Sequence, residues 1–223
     1  GDARPEEDLD HAVRQIISRA VAPEGVLDVF AAAGLEKPDI SILSDEFLAE
    51  VRNTPQRNLA VELLNRLLKE VTRRMRKSNA TQSKAFSAML AEAITKYEQR
   101  AVTTAQVIEL LIEMAKKMKE AQERGEKLGL NEAELAFYDA LETNDSAVMV
   151  LGDEVLRGIA KDITDTINKN LSIDWSVRES AKANMRRMVK RILRKYDYPP
   201  DKQETATRNI IEQAELMCGE LSA

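Results

Sequence analysis

Apolar residues recur along most of this chain at intervals of three and four, the spacing that places them on one side of an α-helix. The clearest stripes are Leu59, Leu63, Leu64, Leu67, Leu68, Val71 and Met75, and then Val107, Leu111, Met114, Ala115 and Met118. No stretch alternates apolar and polar residues over the length of a strand. The pattern predicts an all-α fold, a multi-helix bundle of about eight to ten helices with no sheet.

Breakers and caps mark where those helices end. A first helix is expected from Glu6 to Ala22, stopped by Pro23, followed by a short one closed by Gly34. Ser44 reads as an N-cap with Asp45 and Glu46 in the first turn, where the helix dipole favours anions. Thr54 and Pro55 read as N-cap and first-turn proline of the leucine-rich helix, which Ser78-Asn79 breaks. Thr103 with Gln106, Asn131 with Glu134, Ser176 with Glu179 and Asp201 with Glu204 have the spacing of reciprocal N-terminal caps. Gly129 closes the long helix after Thr103, Asp153 opens one running to Asn170, and Pro199-Pro200 stop another after Tyr198. The polar, turn-rich stretch Glu142–Asp153 is the candidate boundary. It divides an N-terminal helical part, residues 1–143, from a C-terminal one, 144–223, unless the two form one compact domain.

Composition agrees with helix. Aromatics are only 4%, and 223 residues contain just eight glycines and six prolines, so strand formers and breakers are both scarce. No apolar run approaches the roughly 18 residues of a membrane span. The chain starts at Gly1 with neither an initiator Met nor a signal-peptide pattern, and is expected to be a piece of a longer cytoplasmic protein. A single cysteine, Cys218, and a single histidine, His11, exclude an intrachain disulfide, a cysteine-cluster metal site and a histidine-cluster zinc site. There is no G-x-x-x-x-G-K-[ST] loop, no G-x-G-x-x-G and no G-x-S-x-G elbow. Pro38-Asp39 lacks the further carboxylates and lysine of a metal-dependent nuclease and reads as a connector. The expectation is a chain with no catalytic residues, no cofactor site and no metal site.

Charge changes the picture in one place. Between Arg178 and Lys195 lie eight basic residues and one acidic residue, a net +7, while the rest of the chain sums to −12 and the whole to −5. At 100° per residue, Val177, Ala181, Met185, Met188 and Ile192 share an apolar sector, and Arg186, Arg187, Lys190, Arg191 and Arg194 lie opposite. Together with Lys195 these are the candidate contacts for DNA or for an acidic partner, since guanidinium forks match phosphate and carboxylate oxygens. The competing reading is a solvated face paired with acidic neighbours. A weaker candidate cluster is Arg73, Arg74, Arg76 and Lys77, at a helix C-terminus where the dipole already favours cations. Trp175 reads as a staple at the entry to the basic helix. Tyr196 and Tyr198 could stack on bases, or more plainly pack on the following prolines.

Several long strings are similar to one known family. They are FAAAGLEKPDISILSDEFL (Phe30–Leu48), the stretch from Lys84 to Met118, RGEKLGLNEAELAFYDAL (Arg124–Leu141), LGDEVLRGIAKDI (Leu151–Ile163), and IDWSVRESAKANMRRMVKRILRKYDYPPDKQE (Ile173–Glu204). Together they resemble the C-terminal helical region of the restriction (R) subunit of type I restriction–modification enzymes, over nearly the whole chain from about residue 10. The resemblance implies a parent subunit with an N-terminal nuclease domain and two ATPase motor domains, acting as an ATP-dependent type I site-specific deoxyribonuclease. ATP and magnesium would belong to those other parts. It also implies that this region docks the motor onto the methyltransferase and specificity subunits, with double-stranded DNA passing nearby and no membrane involved. The alternative is an autonomous helical DNA-binding module acting through the basic helix, residues 176–196. The resemblance assigns no residue role to the basic helix, which rests on charge geometry alone.

Overall fold

The computed structural model describes residues 21–22, 25–26, 43–142, 145–170 and 179–221. Eight α-helices lie among them: α1 (Asp45–Asn53), α2 (Arg57–Ser78), α3 (Ala80–Glu98), α4 (Thr104–Leu128), α5 (Glu132–Glu142), α6 (Asp145–Asn170), α7 (Glu179–Lys195) and α8 (Gln203–Leu221). The fold is all-α, as the apolar spacing predicts. Among the described residues the one extended pairing is two residues a side: Val21–Ala22 (β1) runs antiparallel to Gly25–Val26 (β2), with Val21 opposite Val26. The first two expected helices are corrected at those four positions. Ala22 precedes Pro23, and the proline ring disfavours the helical region for the residue before it. The remainder of both expected helices lies outside the described residues, as do Trp175 and Ser176 of the cap expected with Glu179.

Most cap readings hold at the atomic level. Ser44 accepts a hydrogen bond from the Phe47 N–H at 3.2 Å. Thr103 and Gln106 cap α4 reciprocally, as do Asn131 and Glu134 for α5. Gly129, at φ +64°, ends α4 in the left-handed conformation that glycine adopts without strain. Three boundaries differ. Thr54 closes α1 instead of opening α2: its N–H bonds Val51 O and its hydroxyl bonds Glu50 O. Glu204 does not complete a cap with Asp201, because its carboxylate accepts from Lys190 Nζ at 2.6 Å. Residues 145–151 are already helical, and the break falls at Gly152, at φ +73° and ψ 166°, a region closed to residues with a Cβ.

The chain forms two compact units. The first comprises residues 1–73 and 86–122, the second 74–85 and 123–223. In the first, Leu63, Leu64, Leu67 and Leu68 of α2 are fully buried, as are Val107, Leu111 and Ala115 of α4. Each such leucine contributes about 1.5–3 kcal/mol relative to exposure. In the second, α5 is buried almost all round, from Leu135 to Leu141. It packs against α6 and α8, and α7 packs against both of these. Their shared core includes Phe137, Tyr138, Leu156, Ile163, Val189, Leu193, Tyr198 and Ile210.

Two buried polar groups organise the second unit. Gln213 of α8 is 1% exposed. Its Oε1 accepts from Ala80 N–H, and its Nε2 donates to the carbonyls of Lys77 and Ser78. One amide thus satisfies backbone groups left open where α2 stops and α3 starts. Asp139 of α5 accepts from Asn79 Nδ2 at 2.5 Å, from Gln82 Nε2 at 2.6 Å, and from Arg124. Arg124 also pairs with Glu142 at 2.5 Å and lies over the Tyr138 ring.

Among the described residues no helix is long and apolar enough to cross a membrane. No group of three or more His, Cys, Asp or Glu side chains among them is placed to hold a metal ion.

Candidate functional site

The basic helix α7 is oriented by its apolar side. Met185, Val189 and Leu193 are buried in the core of the second unit, with Ala181, Met188 and Ile192 partly covered. Val189 and Leu193 anchor the helix more deeply than any residue of the expected sector but Met185. Their i, i+4 spacing with Met185 was the available signal. The centre of this trio lies about 80° round the helix from that of the expected sector, which moves Arg186 and Lys190 toward the edge of the outward face. At 100° per residue, Arg187, Arg191 and Arg194 fall within about 60° of one another, diametrically opposite the buried trio.

The structure sorts the candidate residues by chemistry. The lysines are engaged within the chain. Lys190 pairs with Glu204 at 2.6 Å, Lys195 with Asp162 at 2.8 Å, and Lys182 with Glu215 at 2.9 Å. The hydrogen bond from Lys190 holds the Glu204 carboxyl below the usual carboxylate range. Hydrogen bonds from Lys195 and Tyr196 do the same for Asp162, and Asp162 in turn raises Lys195. The arginines differ: Arg186, Arg187, Arg191 and Arg194 are exposed and carry no hydrogen bond or ion pair among the described residues. Only Arg186, at the edge, acts on a described carboxylate through its charge, helping to lower the Glu204 pKa. Arg186 borders a groove along α8 with Glu204 and Arg208.

Neither tyrosine offers a free ring. Tyr198 is fully buried and donates its hydroxyl to Leu141 O at 2.9 Å. Tyr196 donates to Asp162 at 2.8 Å and lies under the Lys195 ammonium. Asp197 between them takes φ +53°, and Tyr198 N–H reaches back to Leu193 O to end the helix.

The second basic cluster is placed differently. Arg73 is held by both oxygens of Glu70, at 2.5 and 2.9 Å, and the hydrogen bond to Glu70 raises its pKa. Arg74 and Lys77 also have partners. Arg76 is exposed and has no partner among the described residues.

The Arg124–Asp139 network is absent from the sequence candidates; its signal is a charged residue inside the apolar run LAFYDAL. Burial pushes the Asp139 carboxyl up, against the pull of Arg124, Asn79 and Gln82. Burial opposes the Arg124 charge too, but Asp139 and Glu142 outweigh it and raise the pKa.

Residues 1–220 match the family described as "Type I restriction enzyme HindI endonuclease subunit-like, C-terminal". The chain belongs to that family. It is 40% identical over 210 residues to the type I restriction enzyme HindI endonuclease subunit of Haemophilus influenzae, covering 94% of this chain and 20% of that protein. It is 33% identical over 190 residues to a putative type I restriction enzyme MjaIXP endonuclease subunit of Methanocaldococcus jannaschii, covering 85% of this chain and 18% of that protein. The chain therefore spans about a fifth of the length of the curated relatives it matches. No solved structure matches it. Within this C-terminal family, the basic helix of the present member is an exposed arginine face on a helix held by core packing.

Proposed function

We propose that this chain is the non-catalytic C-terminal assembly region of a type I restriction enzyme endonuclease subunit. It docks that subunit, an ATP-dependent DNA translocase and nuclease, onto the methyltransferase and specificity subunits of the same system in the cytoplasm. The observation that carries this reading is the family match over residues 1–220, together with relatives about five times longer that are named as endonuclease subunits. ATP and magnesium belong to other parts of the parent subunit. The buried apolar residues within each compact unit support a folded region suited to attachment.

The test is the light-scattering mass of the purified chain mixed with its methyltransferase–specificity core, without DNA. A stable complex is the expected result. Two separate species at micromolar concentration, together with normal assembly of a parent subunit lacking this region, would overturn the reading.

A further inference from the structure

We propose that the outward face of α7, formed by Arg187, Arg191 and Arg194 with Arg186 at its edge, contacts the phosphate backbone of double-stranded DNA. This goes beyond the assembly reading and does not depend on it.

Four observations carry the inference. First, the chain has 38 acidic residues against 33 basic ones, yet no carboxylate among the described residues pairs with Arg187, Arg191 or Arg194; Arg186, at the edge, acts on Glu204 through its charge. The neighbouring lysines Lys182, Lys190 and Lys195 are all paired. The charge left over is therefore guanidinium charge on one face. Second, that face is fixed in space. Burial of Met185, Val189 and Leu193 sets the rotation of the helix, so the three arginines project together over about 10 Å of its axis. Third, the rest of the face is low and polar. Ser180, Ala183 and Asn184 are exposed on its N-terminal half, leaving room for an extended anionic backbone to approach.

Fourth, the face lacks what a protein partner would need. Stable protein interfaces are built around apolar and aromatic anchors, with charge at the rim. The exposed large apolar side chains among the described residues are Met89, Leu110, Met149 and Val150, none of them on α7. Protein–DNA interfaces are polar and positively charged, and most of their hydrogen bonds go to phosphate and sugar. Arginine forks suit phosphate oxygens bidentately. The acidic remainder of the chain confines the attraction to this face, since at ~0.1 M salt charges beyond about 10 Å are largely screened.

The experiment is fluorescence anisotropy of a labelled 24-base-pair duplex of arbitrary sequence, titrated with the full chain from 25 to 200 mM KCl. Three phosphate contacts predict a slope of log affinity on log salt near about −3. The variant Arg187→Gln/Arg191→Gln/Arg194→Gln is expected to lose at least about tenfold in affinity at low salt and most of that slope. Its helicity by circular dichroism stays unchanged. A second variant, Arg73→Gln/Arg74→Gln/Lys77→Gln, removes the same charge from α2 and is expected to change binding less than threefold. Equal losses in both variants would overturn the inference, as would no duplex binding by the unsubstituted chain at 25 mM KCl. So would a triple-arginine variant that binds duplex normally but no longer joins the methyltransferase–specificity core, which would make the face a contact for acidic protein. Loss of duplex binding with core assembly intact supports the inference whatever becomes of the assembly reading.

Discussion

The end of α2 and the outer face of α7 look alike in sequence. Each gathers arginine and lysine on a helix of an acidic chain. In the structure they differ, although Arg76 of the α2 cluster is exposed and without a partner among the described residues. Arg73 is clamped by Glu70, Arg74 and Lys77 have partners, and the backbone of Lys77 and Ser78 is held by Gln213. On α7, Arg187, Arg191 and Arg194 carry no partner among the described residues, while the lysines are paired. The lesson is that a run of basic residues describes supply of charge, not availability. Availability depends on which carboxylates the fold brings within about 4 Å, and these come from distant positions such as Asp162 and Glu204.

The largest effect is expected at Asp139. Replacing Asp139 with Ala strips Arg124, Asn79 and Gln82 of their common acceptor. The expected loss is about 3 kcal/mol, at the low end for a buried pair because Arg124 remains 35% exposed. Urea unfolding monitored by circular dichroism measures it. A loss below about 1 kcal/mol would mean that water replaces the network.

Gln213→Ala comes next. It leaves Ala80 N–H and the carbonyls of Lys77 and Ser78 without their side-chain partner in a buried setting. A loss of about 2 kcal/mol is expected, together with faster amide exchange at residues 78–82. An unchanged exchange rate there would show that the α2–α3 junction does not rely on the amide.

By contrast, Arg187→Gln, Arg191→Gln and Arg194→Gln, singly, should each shift stability by less than about 0.5 kcal/mol, as exposed substitutions without partners do. If one of them unfolds the chain, the face is structural after all and the contrast with α2 disappears.

A comparably small effect, read on binding, should come from Glu204→Gln. It releases Lys190, which lies on the arginine side of α7, and adds one free cation to the face. Duplex affinity at low salt is expected to rise two- to fourfold, with the salt slope steeper by about 1. A fall in affinity would place Lys190 outside the contact.

Much of the helix inventory was legible because its signals are local. A cap such as Ser44 or Thr103 acts within three residues, and the α2 and α4 stripes are read directly from spacing. The candidate face was legible for the same reason, since α-helical geometry alone places Arg187, Arg191 and Arg194 together. Thr54 is ambiguous in sequence because a threonine before a proline suits either the end of one helix or the start of the next. What decided between them was its bonds to Glu50 and Val51.

Other features have no local signal. That residues 74–85 belong with the C-terminal helices rests on Gln213 and Asp139, 133 and 60 positions away along the chain from their partners at 80 and 79. Helix class, caps and the polarity of each face follow from the order of residues, because backbone geometry and side-chain period act over a few positions. Which charges are spent and which remain free is decided by packing. Whether a guanidinium meets a carboxylate depends on chain segments that only the folded core brings side by side.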